Sequence, residues 1–299
     1  MPRILISEFM DAPAVESLRR DFEVDYRPKL VDDATSLMAA VAGADGWIVR
    51  NRTQVRGEAL AAARDLRVVG RLGVGLDNID TAACAARGIE VIPAAGANAE
   101  SVAEYVLTAA LVLLRGAYFS TRAVEAGTWP RQTLSQGREA SGKVMGIVGY
   151  GSIGRLTAEK ARALGMRVVT HDPVVPSPEA RPLDALLAES DVVSLHIPLT
   201  PETRGLLDER HLRLMKRDAI LINTARGGIV DERAVATMLR EGRLGGAALD
   251  VFETEPLAAG SPLAGVPRLL LTPHVAGVTL ESNERVSALI AERVAQALR

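Results

Sequence analysis

The sequence predicts an α/β fold built from two doubly wound parallel sheets, and three observations carry that prediction. Short apolar runs of strand type alternate with single helical segments from residue 3 to residue 92. The same alternation resumes at Lys143 and runs to about residue 272. Such connections are right-handed crossovers, which pair the strands in parallel. The third observation is the stretch 144–155, Val-Met-Gly-Ile-Val-Gly-Tyr-Gly-Ser-Ile-Gly-Arg. There an apolar run leads straight into Gly149, Gly151 and Gly154, and a helical pattern (Leu156, Ala158, Ala161, Leu164) follows.

In chain order, 3–9 reads as a short strand and 12–20 as a helix. Then come strand 22–26, helix 35–41, strand 46–49, helix 58–63, strand 68–72, helix 81–86 and strand 90–92. This unit ends near 93–96. A long helix over 99–115 follows, with Val102, Tyr105, Val106, Ala109 and Leu113 at helical spacing. Residues 127–142 contain Trp129 and Pro130 and little periodicity, so they read as an extended loop or arm. Strands are expected at 144–149, 167–170, 191–196, 219–223, 246–250 and 269–272, enough for a complete dinucleotide domain. The amphipathic helix over 280–298 is expected to return to the first unit. The expected division is therefore 1–96 plus 276–299, and 97–275.

A formal net charge of −2 gives no positive field to draw nucleic acid or an anionic membrane. No run approaches the roughly 18 apolar residues of a membrane span; the most apolar stretch, 102–114, is shorter and contains Glu104. The opening Met-Pro-Arg-Ile-Leu-Ile-Ser-Glu lacks the apolar core of a signal peptide. The single cysteine, Cys84, cannot form an internal disulfide and lies among alanines, as in a packed helix. The expectation is a cytoplasmic protein without nucleic-acid, membrane or metal partners.

Each glycine of the motif has a task. Gly149 makes the tight turn, Gly151 lets a pyrophosphate come close, and Gly154 allows close helix–strand packing. Ser152 and Ile153 open the helix, whose N–H groups and dipole suit phosphate. Asp172 follows Gly154 by eighteen positions (172 − 154 = 18), near the roughly twenty expected for the acid that binds ribose hydroxyls. The residues after it are Pro173, Val174 and Val175, with no arginine for a 2′-phosphate, which favours NAD over NADP. The second unit is thus read as a Rossmann dinucleotide domain.

Ligands of such sheets bind outside the carboxyl ends of the strands. Those ends present His196-Ile-Pro-Leu-Thr, Asn223-Thr-Ala-Arg-Gly-Gly, Asp250-Val-Phe-Glu-Thr-Glu-Pro and Thr272-Pro-His-Val-Ala-Gly. Arg226, Glu255 and His274 are thereby expected around the nicotinamide end. Oxidising a 2-hydroxy acid needs a cation for the carboxylate or carbonyl oxygen, a base for the hydroxyl proton and a hydride acceptor. Arg226 offers an always-charged donor fork. His274 is the natural acid–base group, and Glu255 on its far ring nitrogen would fix the tautomer.

At these residues the sequence resembles the D-isomer-specific 2-hydroxyacid dehydrogenase family over essentially the whole chain. The resemblance rests on Gly149-Tyr-Gly-Ser-Ile-Gly, Asn223-Thr-Ala-Arg-Gly-Gly-Ile-Val-Asp, Ala248-Leu-Asp-Val-Phe-Glu and Thr272-Pro-His-Val-Ala-Gly. It implies catalytic roles for Arg226, Glu255 and His274, and a carboxamide contact for Asp250. It also implies cofactor contacts at His196, Pro198, Thr203, Thr224, Ala225 and Gly277. The first unit with the last helix then forms a smaller, flavodoxin-like substrate domain, and the arm around Trp129 belongs to a homodimer contact of the nucleotide domain. In the loop Arg71-Leu-Gly-Val-Gly-Leu-Asp-Asn, Gly73, Val74 and Gly75 would hold the substrate carboxylate. Asn98 is expected on the substrate side.

Arg50, Arg52 and Arg71 could meet a second anionic group, phosphate or sulfonate, as in 3-phosphoglycerate or 3-sulfolactate. The segments Ile6-Ser-Glu-Phe-Met-Asp and Asn51-Arg-Thr-Gln-Val-Arg-Gly are similar to the family's sulfolactate branch. The glutamine pattern of the formate branch is absent, and the chain stops at Arg299, where a serine-sensing regulatory domain is not expected. Two other readings use the same scaffold: a hydroxypyruvate or glyoxylate reductase, and an NAD-sensing, corepressor-like binding protein. A hydrolase that uses bound NAD lacks support from these residues.

Overall fold

The computed structural model describes residues 1–299 and divides into two compact units, Met1–Asn98 with Val278–Arg299, and Ala99–Gly277. Both junctions fall two positions later than expected (98 against 96, and 278 against 276).

The first unit holds strands β1 (Arg3–Ile6), β2 (Glu23–Tyr26), β3 (Gly46–Val49), β4 (Val68–Arg71) and β5 (Glu90–Pro93). They pair in parallel in the order β2-β1-β3-β4-β5, the flavodoxin-like arrangement. Apolar clusters lie on both faces of this sheet, which is why β3 and β4 are buried at every position instead of alternating. Trp47 is completely buried, and its indole Nε1 donates to Ser7 Oγ at 3.0 Å. The closing helix Leu280–Leu298 buries Val286, Ile290, Val294 and Leu298 in one of these clusters. It comes so near β4 that a Cβ on Gly70 would stand 2.7 Å from a methyl group of both Ile290 and Val294.

The second unit holds β6 (Val144–Val148), β7 (Arg167–His171), β8 (Val192–Leu195), β9 (Ile220–Asn223), β10 (Gly246–Leu249) and β11 (Leu269–Leu271). The order is β11-β10-β9-β8-β6-β7, all parallel. A complete dinucleotide sheet has order 3-2-1-4-5-6. Here the third position, outside β7, is reduced to a single bridge between Thr170 and Ala180. Its two bonds are Thr170 N to Glu179 O at 3.1 Å and Arg181 N to Thr170 O at 2.8 Å. The cause is in the sequence: Pro173, Pro176, Pro178 and Pro182 fill this stretch, and proline has no N–H to extend a ladder. The chain therefore crosses directly to β8, beside β6.

Helix Ala99–Arg115 buries Val102, Val106, Ala109, Ala110 and Leu113 in the cluster under β6, β9 and β10. The stretch 127–142, read as an arm, includes a short helix, Arg131–Leu134. No single helix is long and apolar enough to cross a membrane.

Gly70→Ala should destabilise the protein by about 1–3 kcal/mol through overpacking against the closing helix. Adding Val294→Ala should recover part of that loss in urea unfolding. An additive double variant would contradict the contact.

Candidate active site

The glycine turn is built as its spacing demands. Gly149 has φ +94°, and a Cβ there would lie 2.4 Å from His196 O. A Cβ on Gly154 would lie 2.1 Å from Gly149 O, so the helix Ser152–Ala163 starts hard against the turn. A Cβ on Gly151 would meet nothing within 4 Å, and no side chain caps this helix. An open, uncapped helix N-terminus bearing Ser152 and Ile153 fits a pyrophosphate. Asp172 follows β7 directly. Its carboxylate accepts Tyr150 N at 2.7 Å, Val174 N at 2.8 Å and Val175 N at 2.9 Å. Burial pushes this carboxyl up, but those N–H donors, with His171 nearby, outweigh it and hold the group below the usual carboxylate range.

The ends of the other strands carry the remaining expected residues. His196 follows β8; its Nε2 is 3.0 Å from Ser194 Oγ, and burial pushes the imidazole down to about 4. Thr203 Oγ1 donates to Pro198 O at 2.7 Å and closes the turn between them. After β9, buried Asn223 shapes the next turn: Ala225 N donates to its Oδ1 at 3.0 Å, and its Nδ2 donates to Arg226 O at 2.9 Å. Thr224 Oγ1 is buried without a partner in the chain.

Asp250, 1% exposed, follows β10. Its Oδ1 accepts Thr272 Oγ1 at 2.6 Å and Val275 N at 2.9 Å, and its Oδ2 accepts Ala276 N at 2.8 Å. Its own carbonyl accepts His274 N at 2.8 Å. The whole turn up to Gly277 is thus folded onto this residue, and His274 is held at φ +57°, rarely adopted without glycine. His274 Nδ1 is 2.8 Å from Glu255 Oε2, while Glu255 Oε1 accepts Phe252 N at 3.0 Å. An ionised carboxylate only accepts, so Nδ1 carries the proton and Nε2 is left for another partner. The Arg226 turn packs on the same loop: a Cβ on Gly227 would stand 1.8 Å from Phe252 O.

In the first unit, two of the three arginines expected to meet a second anion are engaged elsewhere. Arg71 is 8% exposed; its Nε donates to Gly75 O at 2.9 Å and its Nη1 to Leu72 O at 2.7 Å. It turns those carbonyls inward, and the N–H groups of Val74 and Gly75 make no bond within the chain. A Cβ on Gly73 would collide with this guanidinium at 1.9 Å. Arg52 pairs with Asp32 at 2.5 Å on the exposed surface. Arg50 keeps most of its donors: one Nη2 bond goes to Asn283 Oδ1 at 3.1 Å, and the guanidinium lies 5.6 Å from the Phe9 ring centre. Asn98 Oδ1 is buried without a partner in the chain.

Glu8 was not among the expected residues. It is 5% exposed and accepts the N–H groups of Arg50 at 2.9 Å, Thr53 at 2.9 Å and Arg52 at 3.3 Å. Reading residues just past the strands, applied to β1 as it was to the second unit, would have found it.

A glycine turn opening an uncapped helix, with a carboxylate-backed imidazole past another strand of the same sheet, defines a dinucleotide-dependent oxidoreductase. The sequence model of the D-isomer specific 2-hydroxyacid dehydrogenase NAD binding domain matches residues 107–276, more than half of the chain. The chain is 54% identical over 306 residues to the (S)-sulfolactate dehydrogenase of Chromohalobacter salexigens, covering 100% of this chain and 99% of that one. It is 41% identical over 307 residues to the D-3-phosphoglycerate dehydrogenase of Mycobacterium leprae, covering 100% of this chain but 57% of that protein. The crystal structure of D-lactate dehydrogenase from Aquifex aeolicus, complexed with NAD and lactic acid, superposes with a TM-score of 0.87 at 30% identity, covering 99% and 95%. The chain belongs to the D-isomer specific 2-hydroxyacid dehydrogenase family, and its second unit is the NAD-binding domain of that family.

Because the folded His196 titrates near 4 and an unfolded histidine near 6.5, the unfolded chain takes up this proton first. Stability should therefore fall as pH drops from about 6.5 to 4, by at most about 3 kcal/mol. In His196→Asn the melting temperature should decline less over that window. Parallel curves for the two proteins would contradict the assignment.

Proposed function

We propose that the protein interconverts a D-configured 2-hydroxy acid bearing a second anionic group with its 2-keto acid, and that this acid is 3-sulfolactate. The observation that carries the reading is the 54% identity to a sulfolactate dehydrogenase across both chains, together with Arg50 held in the loop after β3. The (S) descriptor and the D configuration agree. A sulfur-bearing carbon outranks the carboxylate in priority, so the same hand that is R in lactate is S in sulfolactate. D-3-phosphoglycerate, suggested by the 41% identity, is the other dianion to test.

Bound NAD supplies the acceptor for the C2 hydride in oxidation and the donor in reduction. Gly151 and the first turn of helix Ser152–Ala163 hold its pyrophosphate, and Asp172 takes the ribose hydroxyls; that carboxylate disfavours a 2′-phosphate. His274 Nε2 takes the hydroxyl proton in oxidation and returns it in reduction, while Glu255 Oε2 keeps the other proton on Nδ1. Arg226 stabilises the charge on the C2 oxygen and orients the carboxylate. In the first unit, the N–H groups of Val74 and Gly75 are free to bind a carboxylate, and Arg50 is the cation for the distal anion.

Two further expectations extend this reading. The exposed side chains of Tyr118, Phe119, Val124 and Trp129, on the 117–134 stretch of the nucleotide unit, are the surface through which a homodimer would pair. The one cysteine, buried Cys84, suits the reducing cytoplasm.

Turnover of NADH with sulfopyruvate, phosphohydroxypyruvate, glyoxylate and pyruvate tests the reading. Sulfopyruvate should give the highest kcat/KM; no turnover with any acid would favour the NAD-sensing alternative. Arg50→Met should raise KM for sulfopyruvate about tenfold to a hundredfold, as loss of a charged hydrogen bond does. It should leave glyoxylate within about twofold. Equal effects on both would remove Arg50 from the distal-anion role.

A further inference from the structure

We infer that Tyr105, on helix Ala99–Arg115, is a positioning residue for His274 and acts through Thr272. The inference rests on the reading of His274 as the group that moves the hydroxyl proton. Tyr105 Oη lies 2.6 Å from Thr272 Oγ1, which in turn lies 2.6 Å from Asp250 Oδ1. The threonine hydroxyl has one proton, and the carboxylate can only accept it. Tyr105 must therefore donate, and the chain runs in one direction, from Tyr105 to Thr272 to Asp250. Two hydroxyl donors in series ending on a buried anion polarise each other, so each bond is stronger than it would be alone. Burial also pushes the Tyr105 phenol up, which keeps it a donor at any working pH.

The same carboxylate holds Val275 N and Ala276 N, and the Asp250 carbonyl holds His274 N. His274 also donates its N–H to Thr272 O at 3.0 Å, so Thr272 braces the histidine from its main chain while its side chain braces the aspartate. A left-handed conformation at a non-glycine residue persists only where its surroundings over-determine it. Of those surroundings, Tyr105 is the part that belongs to a long helix packed against the sheet. It ties the turn to a rigid element, which a turn needs if its imidazole is to be held within a fraction of an ångström. A phenylalanine at 105 would fill nearly the same volume, so the hydroxyl, and not the ring, makes the tie.

The test compares Tyr105→Phe, Thr272→Val, their double variant, Thr272→Ser and His274→Asn, using whichever 2-keto acid of the panel above is turned over. Tyr105→Phe and Thr272→Val should each lower kcat about tenfold, the scale of a slight misplacement of a reacting group. KM for NADH should stay within about twofold in both, and the double variant should be no slower than Thr272→Val alone, since both break one relay. Thr272→Ser, which keeps the hydroxyl, should restore most of kcat. If His274→Asn abolishes turnover while Tyr105→Phe keeps kcat within about twofold of the parent, the relay is overturned and the reading of His274 stands. Multiplying losses in the double variant would overturn the relay too. If His274→Asn keeps the parental kcat, the reading of His274 falls and this inference falls with it.

Discussion

The site depends on one buried charge. Asp250 is nearly inaccessible to water, so its carboxylate must be satisfied by hydrogen bonds or be driven out of the fold. All three of its donors come from the turn that begins at Thr272. Satisfying them dictates the path of that turn, and the path leaves His274 in the left-handed region with its ring against Glu255. Glu255 is fixed in the same way, one oxygen on Phe252 N and the other on the imidazole. The pairing of His274 with Glu255 is thus a by-product of how two carboxylates fill their lone pairs.

The device recurs at two further strand ends. Past β1, Glu8 gathers the N–H groups of Arg50, Arg52 and Thr53. Past β7, Asp172 gathers those of Tyr150, Val174 and Val175. In each case an acidic side chain at the carboxyl end of a parallel strand folds a loop proposed to meet a ligand. Loops of this kind have little apolar surface to bury, and charge-assisted hydrogen bonds to backbone N–H groups take the place of packing. Arg71 is the counterpart of opposite sign: it collects carbonyls, and so turns the N–H groups of its loop away from itself.

Much of this was legible in the residues. The buried strands read as apolar runs because both faces of each sheet are covered; the glycine motif and Asp172 lie directly after such runs, and Glu255 and His274 lie in the loops that follow them. What failed to read was the direction of long polar side chains. Arg50, Arg52 and Arg71 look alike in sequence, yet one is stacked on Phe9, one pairs with Asp32 and one is buried under its own loop. No periodicity governs that choice, since it depends on which acceptors the fold brings within reach. The Tyr105–Thr272 contact spans 167 positions and joins a helix read as plain core to a loop read for its histidine. The reduced third strand position was foreshadowed by four prolines between residues 173 and 182, a signal of composition and not of pattern.

The Asp250 carboxylate, by holding its turn, holds the imidazole proposed to move the hydroxyl proton. Asp250→Asn keeps the size of the side chain but replaces an acceptor with a donor that faces N–H groups. The direct measurement is the single-turnover rate of 2-keto acid reduction at saturating NADH. The account predicts a fall of about a hundredfold, the effect of displacing a catalytic group by about an ångström. A rate equal to that of the parent protein would contradict it.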